Sequence, residues 1–132
     1  MKILTLTQVI ASPVIPALSL EKAATRLLKK EGSGKGRVDI ILVGNALLHR
    51  LNRRFRKKDA PTDVLSFNFD LPDFLGEIYI SLPRVRQQAK TYDCSFSEEL
   101  WRLTVHGLFH LLGYDHGIAM QRKEADYLLK GF

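Results

Sequence analysis

Apolar residues recur along the chain at two different spacings, and each spacing predicts a different kind of element. Segments rich in β-branched and aromatic side chains predict strands at residues 3–10, 38–43, 64–69 and 77–80. Apolar residues that recur every three or four positions predict helices that begin near residues 20, 45, 81, 95 and 120. The first of these helices presents an apolar face that we expect to pack on a sheet.

Polar and breaker residues predict where several of these elements begin and end. Ser19 is the predicted N-cap of the first helix. Pro72 and Gly76 separate the last two strands, which predicts a hairpin with a long connection. Ser95 and Ser97 are alternative caps for the fourth helix, and the sequence leaves the choice between them open.

The length and composition of the chain favour one small domain. At 132 residues the chain is long enough for one hydrophobic core and too short for two, so we predict a single domain over residues 1–132. No segment approaches the ~20 apolar residues that span a bilayer, and Thr5, Thr7 and Gln8 interrupt the apolar run that a signal peptide would need. Cys94 is the single cysteine, which excludes an intrachain disulfide and suits a reducing compartment. We therefore expect a cytoplasmic protein without membrane association.

The charge of the chain favours a polyanionic partner. The formal net charge is +6, and the excess of basic residues suits nucleic acid. Six cations lie within nine residues, on the predicted second helix and directly after it: Arg50, Arg53, Arg54, Arg56, Lys57 and Lys58. Such a group can attract phosphates, and it is equally typical of a solvated helix face, so charge alone leaves both interpretations open. Nothing in the sequence indicates DNA specificity.

Three of the four histidines lie in one short segment, which reads H-G-L-F-H-L-L-G-Y-D-H. His106 and His110 are four residues apart and therefore share one face of a helix. Gly113 suits the left-handed turn that ends many helices, so the chain can return His116 as a third ligand. Three imidazoles suit Zn²⁺ and leave a fourth position for water or substrate. The spacing thus predicts a catalytic metal site.

The same spacing occurs in the extended zinc-peptidase pattern H-E-x-x-H-x-x-G-x-x-H. Gly107 stands where those peptidases place the glutamate that acts as general base. Asp115 is not at the corresponding helical position; it adjoins His116, as a candidate fourth ligand or a carboxylate that orients a ligand imidazole. A peptidase is therefore disfavoured.

The histidine block resembles the signature of the YbeY endoribonucleases, bacterial proteins linked to ribosomal RNA maturation and ribosome quality control. Upstream blocks resemble the other landmarks of that family in the same order: L-N-R-R-F-R at 51–56, P-T-D-V-L-S-F at 61–67 and L-G-E-I-Y-I-S at 75–81. Glu77 stands where many members have aspartate, and the first fifty residues match only in general character.

This resemblance implies an α+β fold, in which helices flank a small mixed four-stranded sheet and a zincin-like three-histidine site lies on a C-terminal helix and the following turn. It implies one Zn²⁺ ion held by His106, His110 and His116, with Arg56 as the arginine associated with activity. The fixed fork of donors on Arg56 suits a phosphate whose charge is developing.

The function implied by the resemblance is zinc-dependent cleavage of single-stranded RNA during maturation of the 3′ end of small-subunit ribosomal RNA. Ribosomal RNA and ribosomal particles are the expected partners, and the sequence does not identify a protein partner. Two alternatives stay open: a peptidase-like zinc hydrolase with a different base, and a non-catalytic ribosome-assembly factor whose zinc only stabilises the carboxyl-terminal half.

Overall fold

In the computed structural model, the described residues are 4–8, 17–32, 36–56 and 62–131. They form the strands β1 (Leu4–Gln8), β2 (Arg37–Val43), β3 (Val64–Leu71) and β4 (Phe74–Ser81). They also form the helices α1 (Ala17–Glu31), α2 (Asn45–Arg56), α3 (Leu82–Thr91), α4 (Phe96–Leu111) and α5 (Ile118–Lys130). None of these helices is both long and apolar enough to cross a membrane.

The strands form one mixed sheet with the order β1-β2-β4-β3. β2 pairs in parallel with β1 and β4, whereas β3 is antiparallel to β4 and lies at the edge of the sheet. β1 extends the sheet beyond β2 and contacts α1. The predicted α+β class with a mixed sheet and flanking helices is confirmed.

Side chains alternate between the two faces of the sheet and meet different helices on each face. On one face, Ile40 and Ile78 join the main core, which contains apolar residues of α1, α3, α4 and α5. On the other face, Val43 and Leu65 form a smaller cluster with Leu48 of α2. The period-two burial of β2 is what places α2 and α4 on opposite sides of the sheet.

Helix α4 is the central helix of the fold. It begins with a capping box, in which the Ser95 hydroxyl accepts from the Glu98 amide and the Glu98 carboxylate accepts from the Ser95 amide. It contacts β3, β4, α1, α3 and α5. Ser95 is thus the cap that the sequence left open, and the buried length of α4 provides a rigid base for its last turn.

The hairpin between β3 and β4 corrects one prediction. The connection is only Pro72 and Asp73, because β4 begins at Phe74 rather than at residue 77. Gly76 is a strand residue, and a Cβ there would lie 2.3 Å from the carbonyl oxygen of Phe67. The glycine predicted as a loop residue is therefore required by the close approach of β3.

The beginning of α1 corrects a second prediction. The helix begins at Ala17, so Ser19 lies in its first turn rather than at the N-cap. The final helix begins at Ile118, two residues before the predicted start at Met120. Such shifts are small because helix ends depend on capping contacts rather than on apolar periodicity.

Candidate metal centre

The end of α4 is a Schellman motif, and this motif sets the position of the segment that follows. Gly113 has φ +96°, a left-handed conformation that glycine adopts without strain. The Gly113 amide donates to the His110 carbonyl at 3.0 Å, and the Tyr114 amide donates to the Phe109 carbonyl at 3.0 Å. The Tyr114 ring packs on Phe109, with centroids 5.3 Å apart. The predicted turn at Gly113 is confirmed, and it brings His116 back towards the helix.

The three histidines meet at one point. The ligand-capable atoms of His106, His110 and His116 all lie within 4.8 Å of one another. Their ring centroids are 4.5 to 5.0 Å apart. His106 and His110 are half-buried, while His116 is exposed. The arrangement has the protein on one side and solvent on the other, as an open metal site requires.

The hydrogen bonds of the two helical histidines set their tautomers. His106 Nδ1 lies 2.9 Å from Oε2 of Glu124, and His110 Nδ1 lies 3.0 Å from the carbonyl oxygen of Tyr114. Both partners are acceptors, so in each neutral ring Nδ1 carries the hydrogen and Nε2 keeps its lone pair. Burial lowers the pKa of His110, and the neighbouring His106 and His116 lower it further. Both effects favour the neutral imidazole that binds metals.

The facing nitrogens of this cluster fit a metal ion. Nε2 of His106 and Nε2 of His110 are 3.2 Å apart, and two lone pairs at that distance repel each other unless a cation lies between them. Two imidazole nitrogens bound to one zinc ion at tetrahedral angles would lie about 3.3 Å apart. The donor set and its spacing therefore fit a bound metal ion.

Arg56 reaches this cluster from a different helix. A cavity of about 360 Å³ is lined by Arg56 and all three histidines, together with Asn52, Asp63 and Ser66 among others. A second cavity of about 320 Å³ shares Arg56, Ser66, His110 and His116, and extends towards Gly113 and Asp115. The two cavities therefore adjoin each other at the cluster and share Arg56.

The remaining cations of the basic group are arranged differently. Arg50, Arg53 and Arg54 are exposed on α2 and do not line either of these two cavities. Lys57 and Lys58 lie outside the described residues. Of the arginines predicted to contact phosphate, the structure brings Arg56 to the histidines and leaves the others on the surrounding surface.

The sequence model of the YbeY family, described as Endoribonuclease YbeY, matches residues 11–130. The chain belongs to the YbeY family.

Relatives of known name and structure agree with this assignment. An Endoribonuclease YbeY from Brevibacillus brevis is 44% identical over 68% of this chain and 68% of its own length. One from Chloroflexus aggregans is 48% identical over 77% of this chain and 74% of its own length. A Thermotoga maritima protein solved in solution matches with a TM-score of 0.71 at 31% identity, covering 96% of this chain and 87% of that chain. The resemblance read from the sequence motifs is confirmed.

Gly107 has a structural role in this member of the YbeY family. It is buried in α4 against β4, and a Cβ there would lie 2.7 Å from Cγ2 of Ile78 and 3.1 Å from Oγ of Ser66. A glutamate at this position would have to displace the side chain of Ile78. Ile78 therefore crowds the position that holds the general base in zinc peptidases.

Several residues at the site were not predicted from the sequence. Ser66 donates to the Gly107 carbonyl at 3.3 Å, and Asn68 donates to the Leu111 carbonyl at 2.9 Å, so both tie the edge strand β3 to α4. Asn52 is buried and lines the first cavity. The sequence signal that could have identified such residues is a polar residue on the apolar face of a predicted helix, such as Asn52, which lies one turn after Leu48.

The carboxylate bonded to a cluster histidine is Glu124 rather than the expected Asp115. Asp115 is exposed and lines the second cavity beside His116. Glu124 comes from α5, and no sequence pattern links a residue in that helix to the histidine block. Only the packing of α5 against α4 brings it to His106.

A larger cavity lies away from this centre. It has a volume of about 670 Å³ and is lined by Tyr92, Cys94, Trp101 and Leu129 among others. Its buried carboxylate, Glu99, is already bonded to Arg102 at 2.6 and 2.8 Å. Among the described residues, the group of side chains placed to hold a metal ion is the histidine cluster, so a metal-dependent reaction is favoured at the smaller cavities.

Proposed function

We propose that this protein is a zinc-dependent endoribonuclease that cleaves single-stranded ribosomal RNA, in maturation of the 3′ end of the small-subunit RNA and in ribosome quality control. That the chain is a hydrolase of the endoribonuclease class follows from its family. The observation that carries the proposal is the cavity in which three imidazoles and Arg56 converge. An arginine beside an open metal site suits phosphodiester cleavage, because both can stabilise the negative charge that develops on the phosphate.

His106, His110 and His116 would hold one zinc ion through their ring nitrogens. Bound zinc supplies a Lewis acid that polarises a phosphoryl oxygen and acidifies water, so the absent peptidase glutamate is not needed. The Tyr114 carbonyl keeps the ring of His110 directed at the common centre.

Arg56 would bind and orient the scissile phosphate. Its guanidinium presents parallel donors that match two phosphate oxygens and can stabilise the charge that develops during cleavage. The exposed cations Arg50, Arg53 and Arg54, with Lys57 and Lys58 directly after the helix, would hold the neighbouring phosphates by charge.

The two cavities favour a single strand as substrate. They adjoin each other and share Arg56, His110 and His116, so a flexible chain can occupy both cavities with a phosphate at the shared residues. A duplex keeps its bases stacked and paired and does not separate nucleotides in this way. Because ribosomal particles are cytoplasmic, the proposal also places the protein in the cytoplasm.

The peptidase alternative loses its support at Gly107. The buried contact with Ile78 leaves no room for the peptidase base, and the family of the chain is one of nucleases. The non-catalytic assembly factor is separated from the proposal by direct measurement of cleavage.

The decisive experiment compares RNA cleavage by the wild type with that by His110→Ala and Arg56→Ala. Each protein is loaded with one equivalent of zinc and incubated with small-subunit ribosomal RNA and with a single-stranded oligonucleotide. We expect both variants to lose at least about 100-fold in rate, since each removes a group that acts on the transition state.

The matched controls are His49→Ala and Arg26→Ala, which change a histidine and an arginine outside the site and should cleave at the wild-type rate. Equal cleavage by all five proteins would reveal a contaminating nuclease and refute the assignment of these residues. A folded, zinc-loaded wild type that never cleaves RNA would support the assembly-factor alternative instead.

A further inference from the structure

The contact between Glu124 and His106 connects the last helix of the chain to the metal centre. We infer that Glu124 is a positioning residue. It holds His106 in the tautomer and orientation that bind the metal, and metal affinity therefore depends on the docking of α5. This inference rests on the proposed metal centre and adds a residue and a helix to it.

The geometry of the contact supports a specific role. Oε2 of Glu124 lies 2.9 Å from Nδ1 of His106, and only 15% of the Glu124 side chain and 23% of the His106 side chain are exposed. In such a half-buried place, a carboxylate that accepts the Nδ1 hydrogen directs the Nε2 lone pair towards the cluster. It also makes the ring a stronger donor to a cation.

The two helical histidines differ in where their support comes from. The Nδ1 of His110 donates to the backbone carbonyl of Tyr114, which the turn at the end of α4 itself provides. The Nδ1 of His106 depends on a side chain from a separate helix. His106 is therefore the ligand whose orientation a change outside α4 can alter.

Helix α5 is well placed to supply this support. Its Lys123 and Tyr127 bond to the carboxylate of Glu31 on α1, at 3.0 and 2.6 Å. Trp101 of α4 donates to the Tyr127 carbonyl at 3.1 Å, and Met120 is buried in the core. These contacts lie on both sides of Glu124 along the helix, so they fix its position relative to His106.

Metal binding and the docking of α5 should consequently stabilise each other. A docked α5 presents Glu124 and raises metal affinity, and by thermodynamic linkage the bound metal favours the docked helix to the same extent. Helix α5 would then contribute to the free energy of metal binding, although it provides no metal ligand.

The test measures zinc affinity by competition with a chromophoric chelator for four variants. Glu124→Ala removes the acceptor, and we expect its affinity to fall about 10- to 100-fold. Glu124→Gln keeps the size of the side chain and an acceptor oxygen, so it should fold and lose less affinity than the alanine variant.

One control variant and one further test variant separate the direct contact from the docking of α5. Asp126→Ala removes an exposed carboxylate from the same helix and should bind zinc like the wild type. Tyr127→Phe breaks the bond to Glu31 without touching His106, so it should lower the melting temperature and, by weakening the docking of α5, lower zinc affinity less than Glu124→Ala does.

The tautomer of His106 provides a readout that a purely structural role would not change. Long-range ¹H–¹⁵N spectra of the metal-free protein at about pH 8, above the ordinary histidine pKa, should show His106 protonated at Nδ1. In Glu124→Ala the His106 signals should shift towards the Nε2-protonated form, whereas those of His110 should stay unchanged because its acceptor is backbone.

The outcomes distinguish this inference from the proposed function. If the wild type binds zinc but Glu124→Ala binds it equally well with an unchanged His106 tautomer, the positioning role is refuted and the metal centre stands. If the wild type itself binds no zinc, the proposed function fails and this inference fails with it.

Discussion

Gly107 and Gly113 illustrate at the scale of single residues how one segment combines packing and chemistry. Gly113 ends the helix and returns His116, whereas Gly107 lets α4 approach β4 closely enough for Ile78 to fill the space above it. Both glycines lie within the same histidine block, and each is needed for a different physical reason. The site therefore depends on residues that carry no functional group.

Replacing Gly107 with alanine should destabilise the protein. The new methyl group would lie 2.7 Å from Cγ2 of the buried Ile78, and overpacking of this kind costs about 1–3 kcal/mol in free energy of unfolding. Urea unfolding followed by circular dichroism measures the loss. Gly44→Ala is the control, because a Cβ at Gly44 meets nothing within 4 Å. Equal midpoints for the two variants would show that β4 can move away at no cost.

Replacing His116 with alanine should affect metal binding more than folding. His116 is exposed and lies after the helix, so the metal-free variant should melt at nearly the wild-type temperature. Its zinc affinity should fall by more than about tenfold, because the loss of a ligand costs at least as much as the loss of a supporting contact. Thermal melts with and without zinc make the comparison. A large loss of stability in the metal-free form would contradict this division of roles.

At the scale of elements, α5 is joined to α1 by a polar contact that depends on pH. The Tyr127 hydroxyl, together with Lys123, holds the pKa of Glu31 below its ordinary value of 4.5. A carboxyl group with a lowered pKa stabilises the fold above pH 4.5, and this stabilisation is lost as the pH falls through the lowered value. Docking of the last helix should therefore weaken in acid.

The change Tyr127→Phe tests this contact. At pH 7 it should reduce the free energy of unfolding by about 1–2 kcal/mol, because it removes a hydrogen bond to a charged group. The difference from the wild type should shrink as the pH falls below 4.5, where the wild type loses the same interaction. Tyr92→Phe serves as the comparison, since Tyr92 is 61% exposed. A difference that stays constant with pH would mean that Glu31 is not the partner that matters.

The bounds of α4 were predicted more accurately from the sequence than those of the hairpin between β3 and β4. The fourth helix has a capping box and a Schellman motif within its own sequence, so both of its ends are local events. Gly76, in contrast, looks like a loop residue, and it lies in a strand only because Phe67 and Leu111 approach it from other elements. Contacts between separate elements leave no pattern in the local sequence from which they could be predicted.

At the scale of the whole molecule, the net charge of +6 should appear in the salt dependence of RNA binding. For single strands, each phosphate neutralised contributes about 0.7 to the slope of log K against log salt concentration. If Arg53 and Arg54 each contact a phosphate, the double alanine variant should reduce that slope by about 1.4. Fluorescence anisotropy with a labelled oligonucleotide at several salt concentrations gives the slope.

The control for this prediction carries the same change in net charge. Alanine substitution of Arg26 and Lys29, two exposed cations on α1, should leave the slope close to that of the wild type. Equal slopes for the two double variants would indicate that overall charge, rather than the basic face of α2, attracts RNA.

The sequence by itself determined the features that arise within a few residues. The spacing of His106 and His110, the turn at Gly113 and the return of His116 all follow from helix geometry and glycine conformation, and the structure brings these histidines together as expected. The mixed α+β class followed from the resemblance carried by the same motifs.

Only the tertiary structure decided which distant residues join that segment. Arg56 reaches the histidines because α2 and α4 lie along the same edge strand, and Glu124 reaches His106 because α5 docks on α1 and α4. A side chain at Gly107 would be crowded because Ile78 of β4 lies against it. Each of these outcomes depends on the packing of separate elements, whose relative placement is set by burial of the whole core rather than by any local pattern.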